Sequence, residues 1–128
     1  MQALRGAFAR LTGMFHLEEA AMSDFHIRVV VFEDQGKWCA QCLEHDIFAE
    51  ARTEEDLFKE LQEVLALHID LMEQRGKRLF SILPPAPRRY FEMCENLERR
   101  HAVQDSQPLT FGGSQKPTSV VPRFAFAN

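Results

Sequence analysis

From Asp24 to Gln74 the apolar positions recur first every two residues and then every three to four. The first pattern covers Phe25–Glu33. Phe25, Ile27, Val29 and Val31 make one clean apolar face, with His26 and Arg28 on the other. That alternation predicts a strand lying on a core. Val30 and Phe32 then turn the second face apolar, so part of it also needs cover. Asp34-Gln35-Gly36 predicts a tight hairpin, because glycine supplies the positive φ of a short connection. Lys37–Leu43 and Ile47–Ala51 read as two more strands, separated by a turn at Glu44-His45-Asp46. The three strands predict an antiparallel meander.

The second pattern predicts one long helix from Thr53 to Arg75. Thr53 is an N-cap, and Glu54, Glu55 and Asp56 suit the positive end of the helix dipole. Leu57, Leu61, Val64, Leu65, His68 and Met72 make one stripe, widened by Phe58, Ile69 and Leu71. A stripe of that width packs across a sheet. Gly76 is positioned as a left-handed C-cap.

The rest of the chain is less periodic. Leu79–Leu83 is a short apolar run before Pro84-Pro85, which reads as a fourth strand at a sheet edge. Pro87 opens a short C-terminal helix, Arg88–Leu97, with Tyr90, Phe91, Cys94 and Leu97 on one side. Residues 98–128 are rich in Gln, Ser, Pro and Gly and read as a mostly disordered tail. Residues 1–23 read as an N-terminal extension, in which Leu4, Phe8, Leu11 and Phe15 are spaced for a short helix, and Met22 reads as an alternative start that would make the residues before it an upstream extension.

The expected fold is therefore α+β, a two-layer β-β-β-α-β sandwich over residues 24–97. One helix covers one face of such a sheet. The other face must meet a second copy, a partner or the C-terminal helix.

Composition narrows the function. The 128 residues carry a net charge of −4. That balance disfavours sequence-independent nucleic-acid binding, which needs Lys and Arg against phosphate, and suits a basic partner. Three cysteines do not make a disulfide framework, which points to a reducing cytoplasm. No run approaches the roughly 20 apolar residues of a membrane helix.

Candidate chemistry is sparse. Cys39-Ala40-Gln41-Cys42 has C-x-x-C spacing but lies in a strand. Its two sulfurs should point to opposite faces, away from a shared metal or disulfide. His16, His26, His45, His68 and His101 show no metal-ligand spacing. Glu33, Glu44 and Asp46 could serve a metal-dependent nuclease only if they converge. No catalytic residue, metal site or cofactor site is expected.

The run Phe25–Ala51 resembles the HicB-like antitoxin family. The resemblance lies in the apolar strand Ile27–Phe32, Gly36-Lys37-Trp38, Ala40 and Leu43-Glu44-His45-Asp46-Ile47, followed by Thr53-Glu54-Glu55 and a helix. Leu83-Pro84-Pro85-Ala86-Pro87 with its aromatic-bearing helix is similar to the C-terminal half of one subgroup. The likeness spans residues 24–97. It implies a partial ribonuclease-H-like fold without a working active site. It also implies a homo-oligomer that masks a small basic mRNA-cleaving toxin, or a solitary member with no toxin. Trp38, Leu43, Glu44 and Asp46 are the candidate partner contacts, although Trp38 and Leu43 also read as packing and the two acids as turn residues. Family members often add a DNA-binding domain. Residues 98–128 lack the apolar period of one, which counts against operator binding.

Overall fold

The computed structural model describes residues 23–112 and 118–127, with side chains from Phe25 onward. The amphipathic stretch before Met22 lies outside the described residues.

The meander forms as its pattern predicts. Strands β1 (Ser23–Asp34), β2 (Lys37–Cys42) and β3 (Phe48–Ala51) pair antiparallel in that order. Asp34 pairs with Lys37, leaving Gln35 and Gly36 as a two-residue turn. Both have positive φ, 53° and 79°, as the tightest right-twisting hairpin turn requires.

Helix α1 (Glu54–Gln74) follows. Thr53 Oγ1 accepts the Asp56 N–H at 3.1 Å, giving one orphan donor of the first turn a partner. At the other end Gly76 sits at φ +63°, and Lys77 N–H returns to the Met72 carbonyl at 2.9 Å. Leu57, Phe58, Leu61, Leu65, Ile69 and Met72 are buried. They pack with Ile27, Val29, Val31, Ala40, Cys42 and Ala49 of the meander.

The remaining strands lie where a loose tail was expected. Residues 98–128 supply β4 (Val103–Asp105), β5 (Leu109–Phe111) and β6 (Thr118–Phe126). Strand β6 runs parallel to β1 over nine register pairs, from Ser23 with Thr118 to Val31 with Phe126. Val120, Phe124 and Phe126 join the α1 core. Strands β4 and β5 both pair with β6, giving a sheet of order β3-β2-β1-β6-β4 with β5 beside the same strand. Between Asp105 opposite Arg123 and Leu109 opposite Val120, three residues face two. This is a bulge, and it falls opposite Pro122, which has no N–H for the ladder.

The expected strand at Leu79–Leu83 is absent. Ser81 and Leu83 make turn bonds to Arg78 and Phe80 instead. Phe80 is buried, so the run plugs the core rather than extending the sheet.

Helix α2 (Arg88–Arg99) lies on the opposite face from α1. Val30 of β1, Leu43, Cys94, Leu97 and Ala125 of β6 form a second core there, with Phe32, Tyr90 and Phe91 at its margin. The apolar part of the second face is therefore closed by this chain's own helix, and it calls for no second molecule.

Candidate partner-binding surfaces

The four residues expected to touch a partner do not share a surface. Trp38 pairs with Glu33 and Ala51 at the hairpin end of the sheet and packs on the α1 core. Leu43 lies past the other end of β2, about 17 Å away at the rise of a strand. Leu43 is fully buried; its N–H donates to the Arg28 carbonyl and its own carbonyl accepts from Ala86. It is unavailable to a partner. Glu44 is half-buried and holds Arg28 twice, accepting the backbone N–H at 2.8 Å and Nε at 2.6 Å. Its carboxylate holds the Arg28 pKa above the ordinary arginine value. Asp46 is exposed, but its Oδ1 accepts from Gln41 Nε2 at 2.8 Å. Glu44 and Asp46 are thus bound into the turn that they flank.

The carboxylates also fail to converge. Glu33 is at the Trp38 end, and Glu44 and Asp46 are at the other. Among the described residues no group of three or more His, Cys, Asp or Glu side chains gathers as a metal ion needs.

The cysteines behave as strand geometry dictates. Cys42 pairs with Val29 and faces α1, whereas Cys39 pairs with Phe32 and faces the other way. Both thiols are free and buried, as is Cys94. Burial pushes the Cys42 thiol up to about 12 and, with help from Glu98, Cys94 up to about 11. Neither is an available thiolate at neutral pH.

Among the described residues, two surfaces combine exposure with clustered charge, and Phe48 and Ile82 are exposed singly elsewhere. The first is the part of the sheet that α2 does not reach, a concavity of about 500 Å³ lined by His26, Arg28, Glu44, Asp105, Val121 and Arg123, among others. Arg28 and Arg123 are register neighbours on parallel strands. Glu44 flanks one and Asp105, at 3.4 Å, the other. The Arg28 guanidinium also sits over the Phe91 ring at 5.3 Å. The row reads acid, base, base, acid, and its charges balance internally.

The second is the outer side of α1. Leu67 is 69% exposed and Leu71 38%. On a helix Glu63 and Asp70 are the neighbours of Leu67 at i−4 and i+3, and Leu71 lies at i+4. Glu60 lies one turn beyond Glu63, and Glu60, Glu63 and Asp70 are all exposed. Helix α1 holds seven acids against Lys59 alone. That is −6 where the whole chain is −4, so all other residues together are +2. The acidity of this protein is the acidity of one helix. The sequence pattern carried this signal: once the inner stripe is assigned, Glu60, Glu63, Leu67 and Asp70 must face outward.

Comparison of the chain with protein-family models, with curated proteins and with solved structures finds no match. Among the described residues no helix is long and apolar enough to cross a membrane.

Proposed function

We propose that this chain is a protein-binding module that masks a small basic partner, in the manner of an antitoxin covering an mRNA-cleaving toxin in the cytoplasm. The carrying observation is the outer side of α1, where exposed Leu67 and Leu71 stand among Glu60, Glu63 and Asp70. Exposed apolar side chains on a helix of strongly acidic balance, with Arg75 the one base a turn from Leu71, suit a partner of the opposite sign: the leucines supply buried area and the acids steer approach. Strand–strand–strand–helix order over Ser23–Gln74 supports the family resemblance behind this reading.

The test is purification of the full chain from its source cells, with any bound protein then separated and assayed alone. The reading predicts a small basic protein that cleaves mRNA when freed and is silent when recombined with the chain. Leu67→Glu should weaken that recombination at least about tenfold, the effect of roughly 1.4 kcal/mol at an interface. A chain that purifies only with itself contradicts the reading, as does a partner indifferent to Leu67→Glu.

A further inference from the structure

Residues 77–87 join α1 to α2 without regular structure for most of their length. Beyond Lys77, three hydrogen bonds pin residues 78–86 to other parts of the fold. Phe80 N–H donates to His68 Nε2 at 3.1 Å. The Pro84 carbonyl accepts from Asp46 N–H at 2.8 Å, and Ala86 N–H donates to the Leu43 carbonyl at 2.9 Å. Phe80 is 3% exposed and has φ +65°. A bulky residue holds that left-handed conformation only where its surroundings fix it.

Here the fixing comes from rings. His45 lies against Phe80 at 4.2 Å between centroids and 9° between planes, and His68 at 5.2 Å and 8°. Phe25 of β1 meets the same ring edge-on at 5.5 Å.

The bond to His68 has a chemical condition. A ring nitrogen that accepts a hydrogen bond carries no proton, so His68 must be neutral with its proton on Nδ1. A proton added at Nε2 would set two N–H donors against each other. We propose that His45, Phe80 and His68 form a proton-sensitive latch, which holds residues 77–87 and the start of α2 in place at neutral pH and releases them on acidification.

The surroundings favour the neutral form. Burial lowers the pKa of both histidines, and His45 lowers that of His68 further. Glu44, beside His45, pulls the other way on His45. The other charged residues of the turn and the segment, Asp46, Lys77 and Arg78, are exposed to solvent, and the charge influences on the pair are those of Glu44 and His45. Val64, Leu65, Leu71 and Met72 are the α1 residues one turn from His68, β1 contributes Phe25, and the 77–83 segment contributes Phe80. An imidazolium would be attracted to the Phe80 face, but that attraction leaves the opposed donors unrelieved. Because both histidines titrate lower in the folded chain, their contribution is complete above the ordinary imidazole pKa of about 6.5 and is lost as pH falls below it. The latch stands whether or not α1 binds a partner.

Nitrogen-15 NMR of the full chain tests it. At neutral pH His68 should show an unprotonated Nε2 and a protonated Nδ1. Hydrogen-exchange protection at the Phe80 and Ala86 amides, corrected for intrinsic rates, should fall together by about tenfold or more from about pH 7.5 to about pH 5. Val30, in the middle of β1, should keep its protection. His68→Gln retains an acceptor that does not titrate, so its Phe80 protection should fall less steeply with pH than in the unaltered chain, with only the His45 share left. A protonated Nε2 in the native protein at neutral pH overturns the latch even if the variant fails to fold. An unchanged pH dependence in His68→Gln overturns it too. Release of Phe80 with Ala86 still protected overturns the link to α2.

Discussion

The two faces of the sheet are built from the same strands and end differently. On one, Ile27, Val29, Val31, Val120, Phe124 and Phe126 meet a helix of 21 residues, about 32 Å long. On the other, Val30, Phe32 and Ala125 meet a helix of 12 residues, about 18 Å long. The shorter helix stops, and beyond it the face turns to His26, Arg28 and Arg123. Strand β1 already carries this division in its even positions: His26 and Arg28, then Val30 and Phe32. The length of cover and the length of apolar face agree within one chain. An uncovered sheet face is therefore no reason for this protein to associate, and the reason moves to the outside of α1.

The largest effect should come from removing the strand that both faces share. Truncation after Arg100 deletes β4, β5 and β6 and takes Val120, Phe124 and Phe126 from the core. It should abolish cooperative thermal unfolding. A sharp transition in the truncated chain would show that β1–α1 folds without β6.

Single substitutions then separate the faces. Phe124→Ala, on the α1 side and 1% exposed, should cost about 3–5 kcal/mol in denaturant unfolding. Leu97→Ala, under α2 and 4% exposed, should cost about 2–3 kcal/mol. Amide exchange should report that loss in α2 while α1 keeps its protection. Equal loss of protection in both helices would mean that the two cores open as one unit.

Smaller changes probe the ends and the open half. Thr53→Ala removes the acceptor of the Asp56 N–H and should cost about 1 kcal/mol, with the first turn of α1 fraying in exchange. Arg123→Ala breaks a half-exposed pair with Asp105 at 3.4 Å and should change stability by less than about 0.5 kcal/mol. A larger loss in urea unfolding would give the acid–base row a structural role that its exposure does not suggest.

Much of this fold could be read from local signals. The hairpin at Gln35-Gly36, the Thr53 cap, the α1 stripe and the Gly76 stop each depend on residues a few positions apart, and each is present. Two elements depart from what the local pattern predicts, both for physical reasons. Val120, Phe124 and Phe126 alternate with Ser119, Val121 and Arg123 as a strand should. Pro122 interrupts that reading, because a proline in the interior of a central strand needs a bulge beside it, and the bulge is contributed by residues 106–108 of another segment. The parallel partner of β6 lies some 95 residues earlier in the chain, a distance that local periodicity cannot span. Leu79–Leu83 has the composition of a strand, but Phe80 is held by His45 and His68, which come from two other elements.

The candidate surface was legible in a different way. Trp38, Leu43, Glu44 and Asp46 stand out in the sequence as aromatic, apolar and acidic residues near turns. Sheet packing and turn bonds engage all four. Leu67, in sequence, reads as one more helix leucine. Its angle on α1, opposite the buried stripe, is what sets it apart.

The most direct test of the account is an NMR footprint of the full, isotope-labelled chain against the basic protein recovered with it. The account predicts that the perturbed amides cluster on the outer side of α1, at Glu60, Glu63, Leu67, Asp70 and Leu71, with the sheet unmoved. A footprint centred on His26, Arg28 and Arg123, or along the β3 edge, would contradict it.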